Sequence, residues 1–314
     1  MKDRQSKLLE GIIVPLVTPL SGNGGVDIEG LNNLIEHVIR GGVHGIFILG
    51  TTGEAQSLSM KQREEMIKET SLILRDRLPL LVGISDTSIS DSAALSQKAH
   101  EAGAYAVVAT PPYYFATEQS ELIEYFENLV SLLPLPLFLY NMPVHTKVAF
   151  DPKTIKRIAQ NDKVIGFKDS SSNGAYLQAV MYAMRDNPEF MIFVGPEEMT
   201  AEMVLMGANG GVNGGANLFP ELYVQLYNAA KSHDIEKVRH LQQKVMRVST
   251  GIYSKGKYGS SYLIGLKCAL SVAGICSDFP AMPFVHFDKE RRNEIEKAMK
   301  EIENVLGNKH VINS

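Results

Sequence analysis

The chain has 314 residues, 45% of them hydrophobic and 21% charged, with a formal net charge of −4. That apolar content excludes a disordered chain, and the mild acidity leaves no electrostatic footprint for nucleic acid. No run reaches the ~18 apolar residues of a bilayer-spanning helix, the charged start MKDRQSKLLEG does not read as a signal peptide, and two cysteines, Cys268 and Cys276, are too few for a disulfide framework or a zinc cage. The expectation is a soluble, cytoplasmic α/β enzyme with reduced thiols.

Apolar runs alternate with amphipathic segments of helical length. The run at 11–20 precedes a helix at 27–40, capped by Asp27 and carrying Leu31, Leu34, Ile35 and Val38 on one stripe. The run at 45–50 precedes a helix at 59–74, opened by a capping-box pair, Ser59 and Gln62. Then come 79–85 with 88–103, 104–110 with 117–130, 135–141 with 151–160, and 164–170 with 173–185. The pairs 190–195 with 197–207 and 210–215 with 219–231 bring the total to eight. Six of the strand runs are continuously apolar, as in strands covered on both faces. Eight such pairs predict a (β/α)8 TIM barrel over residues 1–231. A doubly wound sheet is the alternative, but it lacks a glycine fingerprint after the first strand. Segments 234–249, 261–273 and 289–306 predict three helices with no strands between, a C-terminal helical extension over residues 232–314.

In such a barrel, chemistry collects at the C-terminal strand ends and the loops after them. Lys168 closes the sixth run, where burial favours a neutral amine that can add to a carbonyl and form a Schiff base. Its alternative is a strand-end lysine reaching solvent or pairing with Asp169. Tyr140 closes the fifth run and is either a proton carrier or a core aromatic with a satisfied hydroxyl. Thr51 and Thr52 lie in GTTGE, a turn whose N–H groups and hydroxyls suit a carboxylate; the alternative is a structural turn with Glu54 near the next helix. Glu197 and Glu198 either bind substrate hydroxyls or complement a helix dipole. His145 either meets an anionic group or sits on a surface loop.

Taken in order, GTTGE at 50–54, PPYY at 111–114, YNMP at 140–143 and GFKDSS at 166–171 resemble the dihydrodipicolinate synthase / N-acetylneuraminate lyase family of pyruvate-handling class I aldolases. The likeness runs from about Gly11 to Phe284 and includes GLKCAL at 265–270. The resemblance implies that Lys168 is the Schiff-base lysine and Tyr140 the general acid/base beside it. It implies a proton relay completed by Thr51 and Tyr114, the latter serving a neighbouring subunit. Thr51 and Thr52 would hold the pyruvyl carboxylate, and the carbonyl of Val212, ahead of Asn213, would face the bound intermediate. Gly195 and Asn213 are counted among the substrate contacts. The partners implied are a keto acid, an aldehyde and further copies of the chain, as a dimer or homotetramer. No metal and no cofactor beyond the lysine imine are expected.

Two departures bear on the second substrate. Dihydrodipicolinate synthases carry an arginine two residues beyond the proline of YNxP; here stands His145, without the bidentate fork. The run Gly195, Pro196, Glu197, Glu198 resembles the glycine-x-acid-acid loop with which sialic acid lyases hold sugar hydroxyls, whereas GTTGE is the synthase-like form. The expectation is therefore a lyase acting on a 2-keto-3-deoxy sugar acid or a sialic-acid-like substrate. The alternatives are 4-hydroxy-tetrahydrodipicolinate synthase, joining pyruvate to aspartate semialdehyde, an imine-forming dehydratase or deaminase, and a non-catalytic barrel that binds a ligand.

Overall fold

The computed structural model describes residues 8–307; the charged stretch at 1–7, read above for a leader, and residues 308–314 lie outside the described residues. The first half of the barrel comprises β1 (Gly11–Pro15), α1 (Ile28–Arg40), β2 (Gly45–Ile48), α2 (Met60–Leu74), β3 (Leu80–Gly83), α3 (Ile89–Glu101), β4 (Ala106–Ala109) and α4 (Gln119–Leu132). The second comprises β5 (Leu137–Asn141), α5 (Pro143–Thr146), α6 (Pro152–Ile158), β6 (Val164–Asp169), α7 (Gly174–Ala183), β7 (Met191–Val194), α8 (Thr200–Leu205), β8 (Gly210–Val212) and α9 (Pro220–Lys231). Three tail helices follow, α10 (Ile235–Val248), α11 (Ser261–Val272) and α12 (Lys289–Leu306). Among the described residues, no helix is long and apolar enough to cross a membrane.

The strands pair in sequence order into one closed parallel barrel, so the fold is the expected (β/α)8. At the seam β8 returns to β1, with Gly11 opposite Gly210 and Ile13 opposite Val212. A Cβ on Gly210 would stand 1.9 Å from the Gly11 carbonyl oxygen, so the strands can approach this closely only at a glycine. Helix starts follow local chemistry. Asp27 accepts from the Gly30 N–H at 2.9 Å, and the Ser59–Gln62 capping box forms on α2.

Side chains alternate between two apolar regions. Ile13, Phe47, Leu81, Val108, Phe138, Tyr140, Met191, Phe193 and Val212 fill the barrel lumen. Their strand neighbours face outward into the layer shared with the helices, where Phe167 and Leu139 pack. That outer cluster also takes in Val245, Val248, Ile252, Leu266, Ile295 and Met299 of the tail.

Several boundaries differ from the periodicity. The first strand stops at Pro15 because the Val17 N–H is taken by Asn217 Oδ1 at 3.1 Å instead of a neighbouring strand. The second stops at Ile48 because Leu49 turns left-handed, φ 58°. The helix expected at 197–207 opens as a 3-10 turn, Glu197–Met199, before α8. The one-turn α5 was not anticipated; Pro143 presets its first residue and Lys147, φ 65°, ends it. Helix α10 runs on into a π-helical turn, Ser249–Tyr253, which the periodicity does not reveal.

Candidate active site

Lys168 is the penultimate residue of β6 and pairs in register with Tyr140 of β5 and Phe193 of β7, so all three side chains point into the lumen. It is 7% exposed, and its Nζ lies 4.0 Å from the centroid of the Tyr140 ring and 5.2 Å from that of Phe47. The alternatives of solvent exposure and pairing with Asp169 do not describe it. Asp169 faces the other side of the sheet, where Asn141 Nδ2 and Ser171 Oγ donate to its carboxylate at 2.7 and 2.8 Å. Burial raises the Asp169 carboxyl above its ordinary value despite those hydrogen bonds.

Tyr140 is buried, which by itself would push its phenol up. The Lys168 charge, aided by hydrogen bonds with Thr51, Ser170 and Lys168, outweighs that and brings it below the usual 10. The Thr51 Oγ1–Tyr140 OH distance is 3.2 Å.

Thr51 and Thr52 sit in a turn bounded by two left-handed residues, Leu49 and Glu54, φ 57°. Backbone bonds from Gly53 N to Gly50 O and from Glu54 N to Thr51 O, each 3.1 Å, close it. A Cβ on Gly53 would meet Leu49 N at 3.0 Å and Leu16 O at 3.2 Å, hence the glycine. Thr52 is buried, with its hydroxyl 3.1 Å from Tyr262 OH. Val212 faces the lumen.

The other candidates fall elsewhere. Tyr114 is 72% exposed, edge-on to Phe115 at 5.2 Å, and does not enter the site of its own chain. His145 is exposed on α5. Glu198 is half-buried, and its backbone carbonyl accepts from Gln242 Nε2 at 2.8 Å. Gly195 packs against Ser170, and its N–H donates to Asp169 O at 2.6 Å.

Two expectations need correction. Glu197 is not a carboxylate free to grip substrate hydroxyls. Tyr223 OH and Tyr253 OH donate to its Oε1 at 2.5 and 2.9 Å, and the Gly215 N–H donates to Oε2 at 2.8 Å. Burial pushes it up to about 7 against those three donors. Asn213 follows the lumen-facing Val212 and turns away from the lumen, donating to Thr200 Oγ1 at 2.8 Å and Gly195 O at 3.3 Å. It ties two loops together behind the site.

Sequence reasoning missed the tail's contribution. Tyr253 and Tyr262 pack edge to face at 4.7 Å, linking Glu197 to Thr52. Lys267 lies fully buried against Glu54 at 2.6 Å. The signal was present: a lysine inside the apolar stretch YLIGLKCAL needs a buried partner.

A model of the dihydrodipicolinate synthetase family matches residues 8–302. A solved dihydrodipicolinate synthase from Bacteroides thetaiotaomicron superimposes with a TM-score of 0.92 at 63% identity, covering 94% of this chain and 99% of that one. The 4-hydroxy-tetrahydrodipicolinate synthase of Kosmotoga olearia is 28% identical over 295 residues, 94% of this chain and 98% of the relative. The putative 2-dehydro-3-deoxy-D-gluconate aldolase YagE of Escherichia coli K12 is 30% identical over 246 residues, 78% of this chain and 82% of the relative.

Proposed function

The chain belongs to the dihydrodipicolinate synthetase family and is a carbon–carbon lyase of the aldolase type; from that premise we propose that Lys168 forms an imine with pyruvate and that Tyr140 moves the protons. The observation that carries this reading is the pairing of an enclosed lysine with an acidified phenol at the lumen end of two adjacent strands, Nζ 4.0 Å from the ring centroid. In this reading the Lys168 nitrogen is the nucleophile and the phenol hydrogen-bonded to it takes up its proton as it adds.

Nζ adds to the keto carbon, the carbinolamine loses water, and an iminium forms. Loss of a methyl proton gives the enamine, whose terminal carbon attacks an aldehyde while the aldehyde oxygen takes a proton from Tyr140. Water then hydrolyses the imine and frees product and amine; cleavage is the same path reversed. The iminium is the electron sink, so the reading needs no separate cofactor. Turnover lost on dialysis against EDTA would count against that.

For the second substrate we infer a hydroxylated aldehyde, the reaction making or cleaving a 2-keto-3-deoxy sugar acid. His145, where synthases of this family carry arginine, supports that inference because an imidazole cannot grip a carboxylate with a fork. The hydroxyl clamp at Glu197 no longer supports it, because that carboxylate is already engaged. The synthase names of the relatives favour the second reading, condensation with aspartate semialdehyde. Assembly as a dimer or tetramer belongs to the proposal as well, with the exposed Tyr114 serving a neighbouring copy.

Borohydride reduction in the presence of pyruvate tests the imine. The expected result is one stable adduct per chain, mapping to Lys168 and missing from Lys168→Ala. An unmodified protein would end the aldolase reading. Pyruvate consumption with hydroxylated aldehydes or with aspartate semialdehyde then separates the two second substrates.

A further inference from the structure

We propose that the buried Glu54–Lys267 ion pair positions the threonine turn of the site, so that a tail residue with no contact to the imine governs how tightly the keto acid is held. The inference rests on the imine reading and adds the device that keeps Thr51 and Thr52 in place.

Both side chains are fully buried, and all three protons of the Lys267 ammonium have acceptors. These are Glu54 Oε2 at 2.6 Å, Thr18 O at 2.9 Å and Phe279 O at 2.6 Å. The second carboxylate oxygen, Glu54 Oε1, accepts from the Ala281 N–H at 2.7 Å. One ammonium thus fastens the segment after β1, the turn after β2 and the segment after α11 to a single point. Burying two charges is costly, and a buried pair is weak evidence for stability. What this pair does have is geometry.

Glu54 holds a left-handed backbone, φ 57°, which a non-glycine residue keeps only when its surroundings enforce it. It lies three residues after Thr51, whose hydroxyl meets Tyr140, and two after Thr52, whose hydroxyl meets Tyr262. The carbonyl of Gly53, between them and Glu54, accepts from Thr18 Oγ1 at 2.7 Å. Helix α11 therefore holds the turn at two points five residues apart, Tyr262 on Thr52 and Lys267 on Glu54. Removing the lower one frees the segment that sets both hydroxyls and the N–H groups beside them.

Lys267→Met alone strands a buried carboxylate, so the informative proteins are two others. Glu54→Gln with Lys267→Met removes both charges at once. Glu54→Asp keeps the charge and tolerates a left-handed backbone, but falls one methylene short of Lys267. Each is titrated with pyruvate under borohydride, and trapping on Lys168 is read by intact mass beside the melting temperature. The expected result for both is a rise of ~10-fold or more in the pyruvate concentration for half-maximal trapping, the scale of a misplaced binding group. Full trapping should persist at saturation in variants that melt within about 5 °C of wild type. A half-maximal concentration unchanged in folded Glu54→Asp overturns the proposal, as does one unchanged in the folded double variant. Wild-type protein that is not trapped removes the imine reading and this inference with it; trapped wild type with unmoved variants removes this inference alone.

Discussion

Tyr140 carries two opposing influences: enclosure discourages a phenolate, and the neighbouring ammonium with the Thr51 hydroxyl encourages it, with the second prevailing. Tyr140→Phe should therefore separate the two halves of the reaction. Imine formation, followed by trapping, should survive in part, while aldol turnover falls ~100-fold or more, the usual cost of lost acid–base help. Equal losses in both would assign the proton to another group. Lys168 and Tyr140 were legible as strand-end residues from the apolar runs, their proposed roles coming from the YNMP and GFKDSS motifs, and the pairing of β5 with β6 sets them side by side. The fate of Glu197 was not, because its donors Tyr223 and Tyr253 stand 26 and 56 residues further on, and nothing local announces them. Asn213 lay between these cases: alternation alone, applied after Val212, turns it away from the lumen.

The loops after β7 and β8 are joined through the Glu197 carboxylate, which reaches the Gly215 N–H and the tail's Tyr253. Its folded value of about 7 lies above the ordinary 4.5, burial being the cause. Stability from this group is therefore full below pH ~4.5 and is lost as pH rises through ~7, a span of about 3 kcal/mol. Glu197→Gln carries no such charge and should show a flatter melting temperature across that window; parallel profiles would clear Glu197 of the effect. At this scale the sequence read well wherever structure is local. Apolar runs and the glycine-rich GGVNGG placed all eight strands, and Asp27 and Ser59 marked two helix starts through bonds spanning three residues. It read poorly where a distant atom decides, as when Asn217 draws Val17 out of β1.

For the whole molecule, eight βα repeats are enough to specify the closed barrel, whereas the tail's part in the site is not written in any repeat. Tyr253, Tyr262 and Lys267 reach the mouth only because α10, its π-helical turn and α11 fold back over it. The surface carries a matching sign of incompleteness: Tyr114, Phe115 and Val144 are all more than 70% exposed. On the proposed assembly, light scattering should find at least a dimer, and Phe115→Asp should shift it toward monomer with loss of turnover. A wild-type monomer with full turnover would remove Tyr114 from the relay.

The Gly11–Gly210 seam joins the earliest-made strand to the latest-made one, and Lys267 reaches Glu54 from later still. While a ribosome is still emitting this polypeptide, its sheet must wait as an open ribbon with two unpaired edges. A nascent product halted ahead of α11 would hold Lys168 and Tyr140 yet lack the Lys267 contact that fastens Glu54.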